Sequence, residues 1–283
     1  MSLQASYAFC QKIARTRARN FYYSFLLLSG DQRDAMCAIY AFMRYCDDIS
    51  EGEGASREAI ERWRGDLDLA LAGQYGENAL WPAFHDTVQR YRIPREYFYE
   101  MIAGVSSDLQ PKQLQTFEEL YRYCYQVASV VGLTIIHIFG FASPQLKEAA
   151  LSLAEKCGIA FQLTNILRDV REDAGLGRIY IPAEDLERFA VQADDLKEGR
   201  QTDGFGRLME FEIERARSYY RESAPLLNLI QPKSKASLWT LITIYSRLLD
   251  RVAESPCDVL TRRISLSAPE KTWIVLRAAL GWT

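Results

Sequence analysis

The chain has 283 residues, 48% of them hydrophobic and 25% charged, with a net charge of −3, which is enough apolar content for one large core and gives no global cationic field to attract nucleic acid. The six cysteines form no Cys-x-x-Cys pair, and there are only two histidines, so a zinc site is not indicated and reduced thiols are expected. Without a signal-peptide pattern or an apolar run of roughly 18 residues, the sequence predicts a cytoplasmic protein.

Apolar residues recur at helical spacing nearly throughout, and no strand-like alternation persists over a useful length. The prediction is an all-α fold, a single domain over residues 1–283, with about ten helices around one cavity and breaks marked by glycine and proline. In chain order, Arg15, Arg17 and Arg19 come first, just ahead of the aromatic run Phe21-Tyr22-Tyr23-Ser24-Phe25. They are either an exposed amphipathic turn or a phosphate-binding cluster. Residues 31–50 read as a central helix, apolar around much of its circumference through Ala35, Met36, Ile39 and Phe42. That helix carries Tyr40, Arg44 and Asp47 at near-fourfold spacing, hence on one stripe. It ends in Asp47-Asp48-Ile49-Ser50-Glu51, acids at the helix end whose macrodipole favours cations.

Asp108, ahead of a loop, is an additional acid candidate, and the 121–132 stretch brings Tyr123, Val127, Ser129 and Gly132. Its small residues leave space for a ligand or for close helix packing. Residues 150–170 repeat the central-helix pattern around a polar stripe of Gln162, Asn165 and Asp169, which Asp173 continues. Asn165, Asp169 and Asp173 recur every four residues and therefore share a face. Gly175 and Gly177 then lead to Arg178 and Tyr180 in a loop ending at Pro182, a candidate flap over phosphate.

Stacked acids in apolar helices repel one another and cost several kcal/mol to desolvate, so a bound cation is the simplest offset. Magnesium suits such a site, because it takes one or two carboxylates and completes its shell with water and phosphate oxygens. The two expected clusters are Asp47, Asp48 and Glu51 on one helix, and Asn165, Asp169 and Asp173 on the other. Arg44, Arg168, Arg171 and Arg178 flank them, and guanidinium forks grip phosphate oxygens bidentately. A solvated helix face with intrahelical ion pairs would explain one ladder. Two ladders are harder to explain that way.

Residues 40–48 with Glu51, the Tyr-Cys-Tyr-Gln-Val-Ala run from Tyr123 through to Gly132, and the Gln-Leu-Thr-Asn-Ile-Leu-Arg-Asp-Val run from Gln162, with Glu172, Asp173 and the Gly-Arg-Ile-Tyr-Ile-Pro tail, together resemble the squalene/phytoene synthase family. The resemblance spans about residues 21–266, including a 245–263 region similar to the family's C-terminal helix and basic stretch. It implies an all-α isoprenoid-synthase helical bundle around a central apolar cavity, which joins two allylic prenyl diphosphates head to head. It further implies magnesium and the two diphosphates on opposite walls, held by the two acid clusters. Tyr40, Arg44, Tyr123, Arg168 and Tyr245 would then be catalytic. Phe21, Phe25, Val127, Gly132, Gln162, Arg171, Arg178, Tyr180 and Arg263 would bind substrate. Glu51 departs from the family's more usual aspartate, though its longer side chain can still ligate magnesium.

The Asp-Asp start of the first motif looks more like the fifteen-carbon bacterial enzymes than the pattern common in phytoene synthases. This favours farnesyl diphosphate as substrate and presqualene diphosphate as product, in a hopanoid-type pathway, with phytoene from geranylgeranyl diphosphate as the alternative. Complete reduction to squalene would need NADPH. No Gly-rich dinucleotide fingerprint is present, and the requirement stays open. Release of so apolar a product suggests peripheral contact with a membrane. A chain-elongating or terpene-cyclising synthase would not explain the second motif and its tail. A noncatalytic assembly factor would gain stability by shedding crowded carboxylates, and here both clusters are intact.

Overall fold

Helical periodicity resolves into fourteen α-helices in the computed structural model, which describes residues 1–52 and 54–281 apart from the side chains of Arg19, Asn20 and Glu51. They are α1 (Leu3–Arg17), α2 (Arg19–Phe25), α3 (Gly30–Glu51), α4 (Arg57–Leu71), α5 (Trp81–Arg90), α6 (Glu96–Ser107) and α7 (Phe117–Cys124). After a π-helical turn, Tyr125–Ser129, come α8 (Val130–Phe139), α9 (Lys147–Gly175), α10 (Ala183–Arg188), α11 (Ala193–Glu198), α12 (Asp203–Ser223), α13 (Pro232–Glu254) and α14 (Ala268–Ala279). The expected ten are exceeded because short helices such as α2, α10 and α11 occupy stretches too brief to show periodicity. Among the described residues there is no strand, only one isolated bridge between Phe141 and Ile230, and no helix long and apolar enough to cross a membrane.

Two helices run through the interior. The α3 helix begins at Ser29, whose hydroxyl accepts from the Gln32 amide, and buries Ala35, Met36, Ala38, Ile39, Ala41 and Phe42 almost completely. Phe42 anchors its outer face, with ring centroids 4.7 Å from Phe84, 5.2 Å from Phe98 and 5.7 Å from Trp63. Burying a side chain of that size contributes about 2–3 kcal/mol. In α9 the residues divide by face. Leu163, Leu167 and Val170 join Phe205, Leu208, Met209 and Ile213 of α12 in one core cluster, which turns Gln162, Asn165, Asp169 and Asp173 the other way, onto the cavity.

Close backbone approach fixes the third wall. A Cβ on Gly158 of α9 would lie 2.5 Å from Ser129 Cα and 2.9 Å from the Ala128 carbonyl oxygen, so only glycine lets the π turn sit against α9. The base of the bundle is tied by Gln32, whose side-chain amide donates to the Ile138 carbonyl at 2.9 Å and to Ser234 Oγ at 3.0 Å. Buried polar groups of this kind are tolerated because they are hydrogen-bonded.

Candidate active site

Helices α2, α3, α6, α8, α9 and α13 enclose a cavity of about 400 Å3. Its apolar part is walled by Phe25, Met36, Val131, Ile135 and Leu238, among others, and its polar part by Arg44, Asp47, Asn165, Arg168, Asp169, Asp173 and Arg178. Tyr40, Tyr123, Tyr245, Phe21, Val127, Gly132, Gln162 and Tyr180 also line it. Positions singled out in the sequence as far apart as Phe21 and Tyr245, Asp108 among them, thus meet around one space.

The α3 acids are already held by arginines. Asp48 takes a bidentate grip from Arg17, at 2.5 and 2.9 Å, and a 2.7 Å contact from Arg44 Nη2. It therefore sits on the rim and not in the cavity lining. Arg44 Nη1 lies 3.7 Å from Asp47 Oδ2, while its Nε is buried without a hydrogen-bond partner. Such an orphan donor in a polar cavity mouth suits an incoming phosphate oxygen. Glu51 as a metal ligand lies outside the described side chains.

Across the cavity, the Arg168 guanidinium forks onto Asp169, both side chains being 13% exposed. Arg263 reaches Asp169 Oδ1 at 3.2 Å and Glu172 at 3.5 Å, which puts it at the rim, half exposed. Burial, with Asp169 and Glu172 nearby, pushes Asp173 up to about 7. Asn165 Nδ2 donates to Gln162 Oε1 at 3.3 Å. Arg171 does not join this group: its Nη1 donates to the Leu260 carbonyl at 2.6 Å, on the far side of α9. The fourfold spacing of 165, 169 and 173 puts 171 roughly opposite them, so the expectation that Arg171 binds substrate is corrected.

The flap forms as the glycines predict. Gly177 adopts φ +77°, open to glycine at little cost, and the Arg178 amide turns back to the Asp173 carbonyl at 2.9 Å. Its far end is pinned, with the Ala183 amide donating to the Leu114 carbonyl at 2.8 Å and Arg215 gripping Asp185 at 2.7 Å. Tyr180 stacks on Tyr123 at 4.7 Å, and both hydroxyls donate to Asp108, at 2.9 and 3.1 Å. Burial and the neighbouring Asp108 charge push both tyrosines well above their ordinary pKa. Deeper in, Tyr245 stacks on Phe161 at 4.3 Å and meets Phe21 edge-on at 5.7 Å. Burial pushes Tyr40 and Tyr245 up to about 12, so these hydroxyls stay protonated at neutral pH and are donors, not bases.

Asp108 and Arg17 are the residues that sequence reasoning undervalued. Asp108 caps the C-terminus of α6, where an acid opposes the helix dipole, the same signal that singled out Asp47. Arg17, singled out only as one of a basic cluster with Arg15 and Arg19, stands in the last turn of α1, and nothing local points to Asp48 as its partner.

The donors present fit magnesium. No group of three or more acidic, cysteine or histidine side chains converges on a single point among the described residues, but magnesium does not need an all-protein cage. The hard oxygens of Asp47, Asn165, Asp169 and Asp173 line one cavity, and burial, then the neighbouring Asp169 and Glu172 charges, raise the Asp173 pKa, a penalty on the carboxylate that a cation would offset.

Residues 14–270 match the squalene/phytoene synthase family. The chain is 35% identical over 281 residues to a 15-cis-phytoene synthase of Synechocystis, covering 95% of this chain and 83% of that protein. It is 34% identical to the maize chloroplast phytoene synthase 3, covering 98% of this chain and 66%, just under two thirds, of the maize protein. A crystal structure of a dehydrosqualene synthase in complex with a ligand superposes with a TM-score of 0.89 at 28% identity, covering 99% of this chain and 97% of that one. With the helical bundle, the paired acid faces and the match over most of its length, the chain belongs to the squalene/phytoene synthase family.

Proposed function

We propose that the chain joins two farnesyl diphosphates head to head, with presqualene diphosphate as product. The observation that carries this reading is the pairing of two acid-and-arginine faces, on α3 and α9, at the mouth of one apolar cavity. One face would serve each diphosphate. Arg44, Arg168 and Arg178 bind phosphate oxygens, with Arg17 and Arg263 supporting from the rim. Asp47 and Glu51, with Asp48 released from its arginines, on one wall and Asn165, Asp169 and Asp173 on the other would hold magnesium, which when bound would supply positive charge that lowers the cost of diphosphate departure.

Loss of one diphosphate leaves an allylic cation, which the double bond of the second molecule attacks. The rings of Phe21, Phe161, Tyr40 and Tyr245 present π faces to that cation, and the apolar wall keeps out water that would quench it. Among the described residues no carboxylate stands free among the aromatic residues, and the tyrosines, raised by burial, stay protonated and offer no phenolate base. The proton lost on closing the cyclopropane therefore passes to the released diphosphate.

The Asp-Asp start of the first motif and the likeness to a dehydrosqualene synthase structure support the fifteen-carbon substrate. The names of the plant and cyanobacterial relatives favour a second reading, phytoene from two geranylgeranyl diphosphates. Phe25, 1% exposed in the apolar wall, supplies a bulk limit on chain length. Incubation with magnesium and either substrate, without NADPH, followed by mass analysis of the products, separates the two. The expected result is a thirty-carbon diphosphate from farnesyl diphosphate, with Phe25→Ala raising turnover of the twenty-carbon substrate relative to the fifteen-carbon one. Phytoene as the sole product of the unaltered chain would replace the first reading with the second.

A further inference from the structure

Three of the helices that wall the cavity stop lining it at one level. The deepest lining residue is Met36 on α3, Leu238 on α13 and Ile136 on α8, and all three are buried. Gln32 stands one helical turn below Met36, Ser234 one turn below Leu238, and Ile138 and Phe139 come just beyond Ile136. These four meet in a single polar layer. The Gln32 side-chain amide donates to the Ile138 carbonyl at 2.9 Å and to Ser234 Oγ at 3.0 Å, and Ser234 donates on to the Phe139 carbonyl at 2.9 Å. Ser29 Oγ closes the set by donating to Gln32 Oε1 at 3.2 Å. Gln32 is 3% exposed and Ser234 fully buried.

The layer differs in kind from the residues above it. Methionine has three rotatable bonds and adapts to what it meets, and leucine offers the end of a prenyl chain ordinary apolar contact. Gln32 cannot step aside so easily, because buried donors and carbonyls would be left unpaired and a prenyl chain has nothing to offer them. Depth along α3 sets the scale. Met36 lies eleven residues from Asp47 at the mouth, about 16 Å along the axis, and Gln32 fifteen residues, about 22 Å. An extended isoprene unit spans about 5 Å at ordinary carbon–carbon bond lengths, so three units need about 15 Å and four about 20 Å.

We propose that the layer of Gln32 and Ser234 is the fixed floor of the chamber and that Gln32 sets the longest prenyl chain it accepts, at about four isoprene units. Met36 and Leu238 form a yielding pad above that floor, which favours three units. This limit rests on the prenyl-synthase reading above and bounds the substrate class of the same cavity. A layer that only braced the bundle would impose no limit on chain length.

Calorimetric titration of the full chain with farnesyl, geranylgeranyl and geranylfarnesyl thiodiphosphates in the presence of magnesium tests this. In the unaltered chain the twenty-five-carbon ligand is expected to bind at least about tenfold more weakly than the fifteen-carbon one. Met36→Ala/Leu238→Ala should bring the twenty-carbon ligand level with the fifteen-carbon one and still discriminate about tenfold against twenty-five carbons. Adding Gln32→Ala should cut that last discrimination to about threefold or less. A triple variant that discriminates as the double one does overturns the proposal, and so does a double variant that already accepts twenty-five carbons. Where one of these variants loses the wild-type circular dichroism, Met36→Ala/Ser234→Ala, which removes less volume, is compared with Met36→Ala. The discrimination against twenty-five carbons should then relax by about threefold, and an unchanged ratio overturns the proposal equally. Mass analysis of the products formed from the corresponding diphosphates reports separately on the synthase reading: length discrimination with no condensation product would remove that reading and leave the floor at Gln32.

Discussion

Asp108 accepts from two tyrosine hydroxyls on different elements, Tyr123 before the π turn and Tyr180 in the flap, so one carboxylate registers the flap against the cavity wall. Hydrogen bonds to a charged group contribute about 1.5–3 kcal/mol each. In Asp108→Asn the amide still accepts one hydroxyl but turns a donor toward the other. We expect kcat to fall about 10- to 100-fold with circular dichroism unchanged, and Tyr180→Phe to cost less in that background than alone; a wild-type kcat would remove Asp108 from the positioning of the flap. Asp173 gives a pH signature. An unfolded aspartate ionises near 4, whereas burial beside Asp169 and Glu172 pushes the folded one up to about 7. The folded state holds the proton more tightly, so the contribution of Asp173 to stability is full below about pH 4 and is lost as pH rises toward 7. Measured as Tm against pH without divalent cations, Asp173→Asn should flatten that decline; parallel curves would contradict the assignment. The residues legible in sequence were those with a spacing or dipole signal, such as Asn165, Asp169 and Asp173. Arg17 stood out only as one of a basic cluster, and its pairing with Asp48 was not legible because it joins residues 31 positions apart.

The π turn at Tyr125–Ser129 is the element that most shapes the third wall. It follows Tyr123 and contributes Val127 and Ala128 to the cavity lining, an example of a π-bulge at a functional site. A Gly158→Ala methyl would strike backbone atoms of Ser129 and Ala128 at 2.5 to 2.9 Å, with no flexible side chain to yield. Overpacking of that kind costs about 1–3 kcal/mol, so the urea midpoint should drop with its slope unchanged; an unaltered midpoint would mean the turn is free to move. Sequence periodicity reads the long helices well, since α3 spans Gly30–Glu51 against the expected 31–50. It misses the π turn, because one extra residue in a helical ladder leaves the apolar pattern almost intact. It also shortened α9, whose polar ends at 147–149 and 171–175 carry too little apolar signal to be included.

At the scale of the whole molecule, two long buried helices turn acids and arginines toward one cavity, while aromatic clusters and α12 brace their outer sides. That division of each helix into a functional and a structural face is why the fold and most of the cavity lining could be read from residue spacing. The depth of the cavity depends instead on how Phe25, Met36 and Leu238 meet across elements, and spacing carries no such information. Head-to-head condensation requires that two diphosphates occupy the cavity together. Calorimetric titration with a non-hydrolysable farnesyl thiodiphosphate in the presence of magnesium tests it directly. Two molecules are expected to bind per chain, and one in Asp169→Asn. A single molecule bound by the unaltered chain would contradict head-to-head condensation, and no binding would contradict the site altogether.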